Sequence, residues 1–220
     1  DLAFRTFART YGDAIESFFH PLLVFLVWLE KLLINSPWPI IIIAIAILAW
    51  IGSRSLILVV GTIISFLVIG YFGMWKDTMA TMAIITVATL VCIAVGIPFG
   101  ILMARSNRIQ AIILPILDIM QTIPSFVYLI PIIMLLGIGK VPGLIAVCIY
   151  AVPPIVRLTN LGIREVDKEA LEAIDAFGAT TWQRLTKVQI PLALPTIFAG
   201  VNQTIMMALA MVVIASMIGV

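Results

Sequence analysis

Three groups of polar side chains interrupt runs that are otherwise Ile, Leu, Val, Ala and Met. Asp118, Gln121 and Thr122 precede Pro124, with Phe126 and Tyr128 just beyond; Arg157 follows Pro153 and Pro154; Asn202, Gln203 and Thr204 sit in the last apolar run. Each is expensive in hydrocarbon and is expected to face a partner or a wet cavity, so all are candidates for a path or a gate. Asp118 is expected either to pair with Arg157 or Arg105, or to lie exposed at the headgroups. The stretch from Gln121 to Tyr128 is expected to kink at Pro124. Phe126 and Tyr128 would then present ring faces to a passing cation, or else simply face lipid. Covalent chemistry is not in view. No HExxH or GxSxG occurs, and the only histidine, His20, reads as an interfacial residue. The "GIGKVPG" at 137–143 lacks P-loop spacing and reads as a tight turn. Cys92 and Cys148 lie inside apolar runs and read as small buried hydrophobes.

The elements that must position these residues are apolar helices. The chain has 220 residues, 63% hydrophobic and 11% charged, and its mean hydropathy is +1.21. That composition excludes a water-soluble domain and implies an all-α, polytopic transmembrane bundle. Six spans are expected by length, over 38–53, 55–74, 78–104, 110–136, 141–160 and from about 190 onward. Residues 1–37, aromatic and mixed in charge, read as a tail with a helix lying in the interface. The chain opens on Asp1 and stops at Val220 within an apolar run, which reads as trimming of a longer protein. The net charge of +2 reports topology rather than a nucleic-acid partner. Arg54, Arg105, Arg108, Arg157, Arg164, Lys168, Arg184 and Lys187 gather at alternate joints, which places those joints in the cytoplasm and residues 1–37 outside.

One stretch looks like the surface of a soluble protein: "EAIDAFGATTWQRLTKVQIP", 172–191. A helix over 167–177 would be capped by Asp167, with Ala170, Ala173, Ile174 and Phe177 on an apolar face and Lys168, Glu169, Glu172 and Asp175 on a polar one. Gly178 suits a left-handed C-terminal cap. Thr180 and Gln183 have capping-box spacing, so a second helix would start near Thr181 and run through Trp182 and Leu185 toward Pro191. Residues 164–187 hold four basic and five acidic side chains, which rules out a DNA-reading helix-turn-helix. A plain solvated connection is the simpler alternative.

This stretch resembles the EAA loop of membrane subunits in ABC importers. Glu172 and Ala173 match its opening, Gly178 its glycine, and Val188, Ile190 and Pro191 its close; Ile174 stands where Ala is usual, and Val188 and Ile190 replace Ile and Leu. The likeness extends through "ILPILDIMQTIPSFVYLIPIIMLLGIGKVPG" (113–143), "AVPPIVRLTNLGI" (151–163) and "LPTIFAGVNQTIMMALAMVVIASMIG" (194–219) to the membrane subunits of glycine betaine/proline betaine importers of the ProU and OpuA type, over roughly residues 40–220.

The resemblance implies a type I ABC importer permease fold over 38–220, with a cytoplasmic coupling loop at about 161–189 and a further family span beyond Val220. It implies that Glu172, Ala173, Ile174, Phe177, Gly178, Ala179 and Pro191 dock on a cytoplasmic ATPase, two copies of which hold ATP and Mg. This chain would hold no cofactor of its own. It also implies a homodimer, an extracytoplasmic substrate-binding protein or domain, and residence in a bacterial inner membrane. The cargo would be a quaternary-amine osmoprotectant crossing by alternating access, with Asp118, Gln121, Thr122, Pro124, Phe126, Tyr128, Arg157, Asn202 and Gln203 as pathway candidates. Two rivals stay open: an ABC permease for methionine, choline or another amine, and an ion-coupled secondary transporter. The second would need intramembrane ion ligands and internal repeats, of which the chain shows few and none.

Overall fold

The computed structural model describes residues 20–217, so the tail aromatics from Phe4 to Phe19 lie outside the described residues. The described chain is helical throughout, as the composition requires. It forms two compact units whose boundary falls inside one helix, between Val87 and Ala88.

The first unit contains α1 (His20–Asn35), α2 (Trp38–Ser53), α3 (Leu56–Tyr71) and the start of α4 (Trp75–Arg105). Pro37 fixes the backbone between α1 and α2, which meet at 109°. α2 ends where Arg54 takes a left-handed conformation (φ 49°), and α3 begins after Ser55. Each of α2 and α3 has 16 residues, a rise of about 24 Å, short of the roughly 30 Å of a hydrocarbon core.

The second unit holds the rest of α4, then α5 (Asn107–Thr122), α6 (Ser125–Leu136), α7 (Lys140–Arg164), α8 (Lys168–Ala176), α9 (Thr181–Arg184), a π turn (Leu185–Gln189) and α10 (Ile190–Ser216). Its axis is α7, most of whose residues from Pro142 to Ile163 are buried. α4 packs against α7 through a small-residue seam. A Cβ at Gly96 would stand 2.3 Å from Ile155 Cγ2, and one at Gly100 would stand 2.5 Å from Thr159 Cβ and 2.9 Å from the Val156 carbonyl. α10 uses the same device, since a Cβ at Gly200 would meet Leu158 Cβ at 3.1 Å and Ile155 Cα at 3.2 Å. Cys92 and Cys148 are free thiols facing one another along the α4–α7 seam, Cys92 Sγ lying 3.5 Å from the Cys148 carbonyl.

The span count differs from the six expected. Among the described residues, three helices are long and apolar enough to cross a membrane, namely Trp75–Arg105, Lys140–Arg164 and the continuous Thr181–Ser216. The number reaches five if each bent pair crosses as one. One proline and two short helices account for the difference. Pro124 divides the expected 110–136 span into α5 and α6, set at 91°, because the residue before a proline is driven out of the helical region and Ile123 is extended (φ −73°, ψ 130°). α2 keeps the expected bounds and α3 nearly so, but at 16 residues each they fall short of a span, α2 counting only together with α1. In the other direction, the helix expected to stop near Pro191 does not stop. It runs on through the π turn into α10, and the wider turn accommodates a proline that can give no N–H to the carbonyl one turn back.

Candidate functional site

The hairpin at α8 and α9 is built from local capping rules. Asp167 accepts from the Glu169 N–H at 3.0 Å and starts α8. At its end Gly178 sits at φ +74°, with Gly178 N donating to the Asp175 carbonyl (2.9 Å) and Ala179 N to the Ile174 carbonyl (3.4 Å), the two bonds of a Schellman cap. Thr180 and Gln183 complete the capping box reciprocally: Gln183 N donates to Thr180 Oγ1 (3.3 Å), and Thr180 N to Gln183 Oε1 (2.8 Å). Arg184 then bridges back to Asp175 at 2.9 Å, closing α9 onto α8.

The apolar face expected of α8 is divided between inside and outside. Leu171, with Val188 and Ile190, packs on a buried cluster of Ile163, Val166, Leu185, Ala193 and Ile197, and Ala170 and Ile174 are half-buried. Phe177 and Ala173 face outward with Glu172, Phe177 being 88% exposed. Trp182, opening α9, is 65% exposed. A helix of nine residues carries two apolar stripes, and only tertiary contact decides which is the inner one. Ala179 is half-buried behind the turn, and Pro191 is exposed at the start of α10.

A second site lies among α5, α7 and α10. An open, mostly apolar cleft of about 470 Å³ is walled by Leu114, Pro154, Leu158 and Leu161, with the amides of Gln110, Gln121, Asn160 and Gln203 and Arg157 among them. The Arg157 guanidinium donates through Nη2 to Asp118 Oδ1, the pairing anticipated for Asp118; Arg105 is not the partner. Arg157 Nε is buried and has no hydrogen-bond partner. Asn202 is exposed next to Gln203, whereas Thr204 is fully buried. Of the residues at the helix break, Thr122 donates its hydroxyl to the Ile119 carbonyl (3.0 Å), Pro124 caps α6, and Phe126 is 43% exposed. The Tyr128 hydroxyl donates to the Met120 carbonyl (2.5 Å), which ties the two sides of the bend together. The break is thus held open by a side chain and is not a frayed end.

Sequence reasoning missed Arg164. Its three nitrogens reach three elements: Nε donates to Asn160 Oδ1 (3.1 Å), Nη1 to Asn107 Oδ1 (2.8 Å) and Nη2 to the Met103 carbonyl (2.8 Å). It pins the last turn of α7 to the end of α4 and the start of α5, immediately before the hairpin, and it orients Asn160 in the cleft wall.

Comparison with known proteins gives a consistent picture. Residues 96–220 match the model of the binding-protein-dependent transport system inner membrane component. The chain is 53% identical over 191 residues to the glycine betaine/proline betaine transport system permease protein ProW of Escherichia coli (strain K12), covering 87% of this chain and 54% of that protein. It is 47% identical over 185 residues to the glycine betaine/carnitine transport permease protein GbuB of Listeria monocytogenes, with 83% and 66% covered. With the glycine betaine transport system permease protein OpuAB of Bacillus subtilis (strain 168) it shares 49% over 178 residues, with 81% and 62% covered. The chain therefore spans between about half and two thirds of the length of these relatives. The matched segment takes in the glycine seam, the cleft and the capped hairpin alike, and the chain belongs to the family of binding-protein-dependent transport system inner membrane components.

Proposed function

We propose that this chain is the membrane subunit of an ATP-driven importer for small quaternary-amine osmolytes such as glycine betaine. The observation that carries the proposal is the hairpin. Its turn is fixed by two caps and an ion pair, its base is fused to the buried cluster under α7 and α10, and its tip offers Phe177 and Trp182 to something other than this chain. An amphipathic tip on a rigid turn can seat in a partner's groove and pass a rigid-body displacement to the helices at both its ends. Glu172, exposed on the same short helix, supplies the charged contact. The partner is a cytoplasmic ATPase that holds ATP and Mg, present in two copies because a homodimer offers two hairpins. A substrate-binding protein or domain delivers cargo on the other side, the side on which the N-terminal tail lies. The cleft among α5, α7 and α10 belongs to the path, and alternating access opens it to each side in turn. The cargo class draws its support from the named substrates of the relatives.

The test uses the full-length protein with its ATPase, reconstituted in vesicles. Phe177→Asp is expected to abolish ATPase co-purification and ATP-driven uptake of trimethylglycine, while the membrane subunit itself still folds, since the residue is 88% exposed. Full uptake by this variant, or uptake by the unaltered protein without ATP, would overturn the reading.

A further inference from the structure

The ion pair beside the cleft has an unusual allocation of contacts. Arg157 gives one nitrogen to Asp118 while its Nε is buried with no partner, and the Asp118 side chain is 62% exposed. On α5, Gln110, Leu114, Asp118 and Gln121 recur at four, four and three residues, which puts them on one helical face. Gln110, Leu114 and Gln121 line the cleft, so Asp118 stands on the cleft face between two of its lining residues. Arg157 contributes to the wall directly, as do the neutral amides of Asn160 and Gln203. The pair therefore has one end set in protein and the other at the edge of a cleft large enough for a small molecule.

We infer that this cleft is a transit site for a zwitterion carrying both a carboxylate and a quaternary ammonium, which enters by exchanging partners with the Asp118–Arg157 pair. The solute's carboxylate takes the Arg157 Nη2 that Asp118 gives up, a charge-assisted contact. Its ammonium takes the Asp118 carboxylate that the arginine releases. Every charge keeps an opposite charge throughout, so neither partly exposed group is left unpaired beside the apolar part of the lining. The same balance makes binding weak and release easy, as transit requires. Selectivity follows from it. A cation without a carboxylate would strip Asp118 from Arg157 and leave the guanidinium alone, and an anion without an ammonium would strand Asp118. The amide walls can donate or accept and favour neither charge.

The inference rests on the importer reading, and the experiment separates the two. In the full-length complex in vesicles, Gln121→Cys serves as a reporter for a water-soluble maleimide, with the unsubstituted chain as background. Trimethylglycine at ten times its half-protecting concentration is expected to slow labelling by about tenfold, since protection follows occupancy. Choline and acetate at the same concentration should leave it unchanged, and Arg157→Gln should remove the protection. A reporter that never reacts, protection equal with choline, or protection that survives Arg157→Gln would each overturn the site. At saturating substrate, Arg157→Gln and Asp118→Asn should each lower uptake by about tenfold or more with the ATPase still attached, and uptake at the unaltered rate would also sink it. If the unaltered complex shows no ATP-driven uptake, the importer reading fails instead, and the labelling result still decides the site.

Discussion

Glycine does opposite work in the two units. Along α4, α7 and α10 the glycines are filled from outside, with Ile155, Thr159 and Leu158 standing where a side chain would have been. In α2 and α3, a Cβ at Gly52, Gly61 or Gly70 would meet nothing within 4 Å among the described residues, and no residue of α3 is buried among them. One region uses the missing Cβ to bring backbones together without any hydrophobic drive between helices; the other leaves it unused on a surface that lipid or another protein covers. Gly178 is a third case, open on all sides yet held at φ +74°. What a glycine does is thus set by its neighbours and its backbone angle, and three substitutions separate these roles.

The largest effect is expected at Gly100→Leu. The obstruction there includes the Val156 carbonyl, which is backbone and cannot rotate away, so overpacking should cost about 3 kcal/mol or more. Detergent-solubilised protein should lose its cooperative thermal transition, and a normal melting curve would show that the α4–α7 seam is looser than its distances imply. Gly178→Val comes next, at about 1–2 kcal/mol of left-handed backbone strain with no steric clash. It should weaken ATPase attachment far more than Gly178→Asn, which tolerates that conformation; equal attachment in both would mean the turn need not be preset. The smallest effect is Gly61→Ala, which should be neutral or raise stability by about 0.5–1 kcal/mol. A drop in melting temperature at Gly61 would reveal that another protein packs there and would erase the contrast between the units.

The sequence was most legible where the deciding atoms are close along the chain. Asp167, Gly178, Thr180 and Gln183 each cap a helix through bonds spanning two to five residues, and all were readable from spacing. The Pro124 break was readable for the same reason, because a proline acts on its immediate predecessor. Asp118 and Arg157 are 39 residues apart, yet charge is so rare within the apolar runs that few pairings were available. Arg164 escaped because one of its three acceptors is a backbone carbonyl, which no residue type advertises. Ala170, Ala173, Ile174 and Phe177 read as one apolar face, yet only Ala170 and Ile174 are half-buried, because apolarity does not say whether the covering surface belongs to the same chain. Tyr128 was considered for its ring, whereas the structure uses its hydroxyl to brace the bend.

The five-residue π turn from Leu185 to Gln189 has one further consequence. A π turn carries roughly one residue more than an α turn, and one residue is about 100° of rotation around a helix axis. The turn therefore acts as a phase adjuster between the docking tip and the long C-terminal rod. Without that increment, the azimuth that turns Gly200 toward Leu158 and brings Gln203 to the cleft would point elsewhere, however well each end of the rod were folded.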